Sequence, residues 1–153
     1  MGDPAALAAL QARALAVPRP WSAAEITAFL ASPGAILIAP DVLGFALGRV
    51  AGGPPGQHEA ELITLVVAPE ARRCGRGRAL LAAFEGQAAR MGACEAFLEV
   101  ASDNRPALAL YRAAGWQERG VRRGYYRTAQ GERHDARVLG KDLRRSGRTQ
   151  ESC

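Results

Sequence analysis

The apolar run "ELITLVVAP", Glu61 to Pro69, passes through a basic, glycine-bearing turn, "EARRCGRG", into a helical stretch ending near Met91. Nearly apolar throughout, the run reads as a strand buried on both faces. After the turn, Leu80, Leu81 and Phe84 recur at helical spacing among small alanines, with Gly92 as the stop. "EAFLEVA", Glu95 to Ala101, then reads as another buried strand. A chain that alternates in this way belongs to the α/β class, with helices laid on a mixed, twisted sheet.

The flanks extend the pattern. Asp3 and Pro4 open a first helix with Leu7, Leu10 and Leu15 as a weak apolar stripe, and "SAAE", Ser22 to Glu25, is a capping box opening a second. "AILIA" and "LGFALGRVA" read as strands, and "GGPPGQHE", Gly52 to Glu59, as a mobile hairpin loop. Pro106 falls in the first turn of a helix carrying Leu108, Tyr111 and Arg112, which Gly115 stops. Two late strands, near Trp116–Tyr126 and Asp135–Lys141, form a closing hairpin. The expected order is αα, βββ, α, β, α, ββ: about six strands and four helices in one domain over residues 1–143. Residues 144–153 read as a basic, disordered tail.

Composition sets outer bounds. Across 153 residues no apolar stretch reaches the roughly 18 needed to cross a bilayer, and the alanine-rich start lacks the positive flank of a signal peptide. Cys74, Cys94 and Cys153 are odd in number and widely spaced, which suggests neither a disulfide framework nor a metal site. A cytoplasmic protein without a metal, associated with no membrane and present as a monomer or weak homodimer, is the expectation. The net charge of +5 is uneven, with arginines clustered at positions 72, 73, 76 and 78 and again at 119, 122, 123 and 127. Such clusters suit an anionic ligand, a nucleic acid or a solvated basic face.

A strand, a glycine-rich turn and a helix together point free backbone N–H groups at an anion, and glycine removes the Cβ that would hold a phosphate away. The turn is no P-loop, which needs G-x-x-x-x-G-K-[ST]. It is no dinucleotide fingerprint either, because Leu80 stands where a third Gly or Ala belongs. On spacing alone, phosphate binding and a plain basic turn both stay open.

Longer motifs carry a resemblance. Arg72-x-x-Gly75-x-Gly77, placed between strand and helix, resembles the acetyl-CoA-binding motif [QR]-x-x-G-x-[GA] of the GNAT N-acetyltransferases. "FLEVASDNRPALALYRAAGW" is similar to that family's next strand and helix, and "VRRGYYRTAQGERHDARVLGKDL" to its closing hairpin. The spacing of "LEV", Asn104, "LY" and "YY", with "PWS" near the start, resembles the RimI type, the ribosomal-protein-alanine N-acetyltransferases.

The resemblance implies an acetyl-CoA-dependent enzyme of the GNAT fold. It implies that Leu65, Val66 and Val67 offer backbone groups to the cofactor arm. Arg73, Cys74, Gly75, Arg76, Gly77 and Arg78 would cradle the diphosphate, mostly through main-chain N–H, and Asn104 would hold the arm. Glu99 would be the general base and Tyr111 the general acid.

Glu99 is conspicuous without the family, since a carboxylate interrupting "AFLEVA" must be paired, solvated by a cleft or functional. Tyr111 on its own reads equally as an amphipathic core residue. Deprotonating an α-amine of pKa about 7.8 at pH 7 costs roughly 1 kcal/mol, against nearer ~4.6 kcal/mol for a lysine. An acceptor α-amine at a protein N-terminus, a ribosomal protein's among them, therefore suits a single glutamate, with a small-molecule amine as the alternative.

Three departures bear on the acceptor. The family's short first edge strand has no counterpart here, Ala101 stands where an arginine is common, and the Gly52–Glu59 loop is peculiar to this chain. Tyr125 and Tyr126 suit either a peptide groove or plain strand aromatics. A Cys74 nucleophile lacks a nearby histidine with an acidic orienter, and a nucleic-acid module would need more aromatics among its arginines, so stable nucleic-acid binding is not expected.

Overall fold

A computed structural model describes residues 2–14, 20–52, 57–127 and 130–144. The elements run α1 (Pro4–Ala14), α2 (Ala23–Leu30), β1 (Ala35–Asp41), β2 (Gly44–Ala51), β3 (His58–Val67), α3 (Arg76–Arg90), β4 (Ala93–Ala101), α4 (Arg105–Ala113), β5 (Gln117–Arg127) and β6 (Arg133–Asp142). A 3-10 turn, Pro69–Ala71, lies between β3 and α3. This is the order expected from the sequence. The start of the Gly52–Glu59 loop survives, but β3 already begins at His58, and residues 53–56, Leu15 and the tail from 145 onward lie outside the described residues.

One six-stranded sheet, in the order β1-β2-β3-β4-β6-β5, organises the molecule. All pairs are antiparallel except β3 with β4, which run parallel across the α3 crossover. Among the described residues β1 and β5 are the edge strands of the sheet.

Local chemistry explains the helix ends. Ser22 accepts from the Glu25 amide while the Glu25 carboxylate accepts from the Ser22 amide, the reciprocal cap foreseen from "SAAE". Gly92 and Gly115, both at φ 95°, turn the chain out of α3 and α4 in a conformation that a Cβ disfavours.

Two cores lie on opposite faces. Leu80, Leu81 and Phe84 of α3 and Leu108 and Tyr111 of α4 bury against Leu62, Leu98 and Leu139. Leu7, Leu10 and Ile26 of α1 and α2 bury against Phe45, Leu47 and Val66. Full burial of a leucine-sized side chain contributes about 1.5–3 kcal/mol, so these two layers supply most of the driving force.

β3 corrects the sequence reading. It is not buried on both faces throughout: Glu59 and Glu61 are exposed, while Ala60 and Leu62 are buried. Leu62 pairs with Gly48 and Thr64 with Leu47, so Ile63 is an extra residue, a bulge. The bulge reverses the alternation. Even-numbered Leu62 packs in the α3 core, yet even-numbered Val66 packs in the α1–α2 core, and Leu65 and Val67 now turn toward α3. β4 is likewise half open, with Glu95, Phe97 and Glu99 on its less buried face.

Candidate functional site

The bulge at Ile63 coincides with a parting of strands. β3 and β4 are paired from His58↔Ala93 to Leu62↔Leu98, and the ladder stops there although β3 runs on to Val67 and β4 to Ala101. β4 stays joined to β6 through Ala101↔Ala136. The sheet is thus split for half a strand length.

The cleft in the split, about 60 Å³, is lined by Ile63, Thr64 and Leu65 of β3, Glu99 and Val100 of β4, and Asn104, Ala107 and Tyr111 of α4, with Tyr126 of β5. The positions picked from the sequence on three separate elements, Leu65, Glu99, and Asn104 with Tyr111, therefore share one cleft. Val66 packs its side chain into the α1–α2 core, which leaves only its backbone toward the cleft side. The carbonyl of Val67 already accepts from the Arg72 Nε at 3.2 Å.

α3 starts at the end of this split. Gly75, at φ 79°, is its N-cap residue and offers no side chain to cap the first amides. A Cβ built on Gly75 meets nothing within 4 Å, so open space lies over the turn. Arg73 adopts φ 66°, so two left-handed residues flank Cys74, the kind of backbone that can form an anion-binding concavity. Arg73 and Arg78 are exposed beside it. This arrangement fits an anionic diphosphate.

Arg72 lashes the turn down, reaching the Ala14 carbonyl as well as that of Val67. The Arg76 guanidinium is committed to Asp41 at 2.6 Å. That pairing and the Leu43 amide hold Asp41 below the usual carboxylate range, the amide being the larger influence. The Cys74 thiol lies against the carbonyls of Ala71 and Arg72. A larger hollow, about 360 Å³, sits between α3 and Ile38 and Pro40 of β1, and neither Glu99 nor Tyr111 lines it.

The polar end of the cleft is built by register. Glu99 faces Val138 of β6, and its carboxylate meets the Arg122 Nε at 2.6 Å. Between Arg122↔Ala136 and Tyr126↔His134 the β5–β6 ladder is irregular, with Gly124 at φ 60° and its amide donating to Asp135 Oδ1 at 2.8 Å. The irregularity sets Tyr125 against Tyr126, their rings 5.1 Å apart, and brings the Arg122 guanidinium to 5.1 Å from the Tyr125 ring.

Burial pushes the Tyr111 phenol far above its ordinary value, so its proton stays in place at neutral pH. Tyr126 is raised too, by burial first and then by Glu99 and the neighbouring tyrosines. Asn104 is the N-cap of α4: its Oδ1 accepts from the Ala107 amide at 3.2 Å while the same side chain lines the cleft.

Two residues near this site, Glu61 and Arg122, are not singled out by the sequence. Glu61 faces Phe97 across the parallel ladder, which places it on the Glu99 side of the sheet; although the residue as a whole is exposed, its carboxyl is raised, first by local desolvation and then by Glu99. Arg122 was visible only as one arginine of a cluster. Tyr126, which the sequence leaves open between a groove residue and a plain strand aromatic, lines the cleft together with Tyr111. The alternation in "EAELI" was the one available sign of Glu61.

The chain belongs to the acetyltransferase (GNAT) family, whose model matches residues 7–116. Among individual proteins it is similar to the [ribosomal protein bS18]-alanine N-acetyltransferase of Escherichia coli (strain K12), at 40% identity over 81 residues. That match covers 53% of this chain and 54% of the relative, so the chain spans about half the length of the relative it matches. It is also 36% identical over 127 residues to the N-alpha-acetyltransferase RimI of Mycobacterium tuberculosis, covering 80% of this chain and 77% of that one. In three dimensions it resembles the crystal structure of the ribosomal-protein-S18-alanine N-acetyltransferase from Escherichia coli. The TM-score is 0.77 at 30% identity, over 92% of this chain and 88% of the other. No helix among the described residues is long and apolar enough to cross a membrane.

Proposed function

We propose that this protein transfers an acetyl group from acetyl-CoA to the α-amine of a protein N-terminus, of the ribosomal-protein-alanine type. The observation that carries the reading is the split between β3 and β4, lined by Glu99, Asn104 and Tyr111 and ending at the glycine turn. Family membership and the named activities of the relatives support it.

In this scheme the amides at the start of α3 hold the diphosphate, with Arg73 and Arg78 adding positive charge. The unpaired edge of Ile63–Val67 and the Asn104 side chain guide the arm into the split. Acetyl-CoA supplies the activated thioester carbonyl. Glu99 removes a proton from the incoming amine, directly or through a water, and Tyr111 keeps a proton available for the departing sulfur. The high affinity of Tyr111 for its proton suits an acid that must arrive protonated.

The test pairs acceptors with a variant. An alanine-initiated peptide is expected to be acetylated faster than free lysine or a polyamine at neutral pH. Glu99→Gln is expected to lose about 10²- to 10⁴-fold in kcat while its affinity for acetyl-CoA, read by calorimetry, stays the same. Full turnover by Glu99→Gln would remove the base assignment.

A further inference from the structure

Two charged side chains crowd Glu99 and have no part in the chemistry just described. The β2–β3 register puts Arg49 opposite Glu61, and the β3–β4 register puts Glu61 opposite Phe97, two residues before Glu99. All four positions lie on the sheet face that carries α1 and α2, whose packing stops at β1, β2 and β3. The β4 side of that face is therefore open at the mouth of the cleft. Arg122 reaches onto it from β5, the edge strand.

Arg49, Glu61, Glu99 and Arg122 sum to zero charge. Arg49 is anchored on the Phe29 ring, 5.8 Å from its centroid. Arg122 is held by Glu99 and by the Tyr125 ring, 5.1 Å from its guanidinium, yet its side chain is 57% exposed, against 19% for Glu99, and it sits on an edge strand. An exposed guanidinium on a long stem leaves an ion pair at small cost. If Arg122 swings out, the remaining three groups carry one net negative charge, which one ammonium would restore to zero. The α-amine of a peptide, with a pKa of about 7.8, arrives mostly as that ammonium at neutral pH. The Glu61 carboxyl is raised first by desolvation and second by the charge of Glu99, so the neighbouring acid is felt at this position.

We propose that Glu61 and Glu99 together form the docking site for the acceptor's ammonium group, and that Arg122 fills this site in the empty enzyme and must swing aside for the acceptor. The inference rests on the acetyltransferase reading above and deepens it. It divides the labour between two carboxylates: Glu61 holds the cation, and Glu99 accepts its proton. In that step an ammonium N–H bond breaks and a Glu99 O–H bond forms, which leaves a neutral amine beside an ionised Glu61. The transfer is internal, so the site stays at zero net charge, with Arg49, opposite Glu61 on β2, balancing that carboxylate. Arg122 acts through the carboxylates and is a positioning residue.

The experiment is steady-state kinetics with an alanine-initiated peptide that is otherwise neutral, at saturating acetyl-CoA. Arg122→Gln is expected to lower the KM for the peptide about two- to fivefold, because an exposed competitor has been removed. Arg122→Lys should return it toward wild type. Glu61→Gln should raise that KM roughly three- to tenfold. Acetyl-CoA affinity by calorimetry and the melting temperature serve as controls for folding.

An unchanged or raised KM in Arg122→Gln, or a Glu61→Gln variant altered in kcat alone, would overturn the docking site. Acetyl transfer with unshifted KM values removes this inference and leaves the proposed activity standing. A folded wild-type protein that acetylates neither the peptide nor a small amine removes both.

Discussion

Replacing Lys141 by methionine tests how the fold holds Tyr111 in place. Lys141 Nζ lies 2.7 Å from Glu85 Oε1 and 2.7 Å from the carbonyl of Ala114, while the Trp116 Nε1 donates to Glu85 Oε2 at 2.9 Å. One carboxylate on α3 thus ties together β6 and the α4–β5 turn. The backbone of that turn closes on Tyr111, whose carbonyl accepts from the Trp116 amide at 3.0 Å and whose ring lies 6.1 Å from the indole. The ion pair is largely buried, at 18% exposure for Lys141 and 12% for Glu85.

Removing one member of a fully buried pair costs about 3–5 kcal/mol. The residual exposure here lowers that to roughly 2–3 kcal/mol, and the Ala114 carbonyl loses a hydrogen bond of about 1 kcal/mol. Methionine keeps the aliphatic stem, so little packing is lost. The expected loss is about 3 kcal/mol, or roughly 6–12 °C in Tm for a chain of this size. Urea unfolding followed by tryptophan fluorescence measures it. Adding Glu85→Gln should recover most of the loss, because glutamine still accepts from Trp116 and leaves no stranded charge. A loss below about 1 kcal/mol, or a double variant no better than the single one, would refute the reasoning.

Two further perturbations separate fold from function. Gly75→Ala should cost about 1–2 kcal/mol in urea unfolding from left-handed strain alone, since the new methyl meets nothing within 4 Å. Its acetyl-CoA affinity should also fall by calorimetry, and unchanged affinity would remove the anion-turn assignment. Glu61→Gln should gain on wild type in thermal stability as pH rises. With its carboxyl raised above the ordinary 4.5, folded Glu61 binds more protons than unfolded Glu61, so wild-type stability declines through that window. The difference should vanish in melts below pH 4.5 and level off above the raised value; a difference of the opposite sign would mean that Arg49 and Arg122 outweigh burial.

What the sequence made legible was local. The capping box at Ser22, the glycine stops at Gly92 and Gly115 and the order of elements follow from neighbours within a few residues. Glu99 announced itself because a carboxylate inside "AFLEVA" contradicts its surroundings. Glu61 did not, because "EAELI" reads as a strand with a polar side. Whether that side is open or covered depends on where α1 and α2 stop along the sheet.

The bulge at Ile63 was equally hidden. "LITLVV" has no glycine or proline to mark it, and only the antiparallel match with Gly48 and Leu47 exposes the extra residue. That single insertion does three things at once. It reverses which side chains of β3 face α3, it ends the ladder with β4 at Leu62↔Leu98, and it leaves Glu61 at the mouth of the split that follows. Arg122 depends on a second irregularity, in β5, where a regular ladder would have spaced Arg122 and Tyr125 differently over β6. The geometry of this cleft is thus a property of departures from strand regularity. A period-2 pattern describes the regular parts of the sheet and cannot report the two places where the site is made.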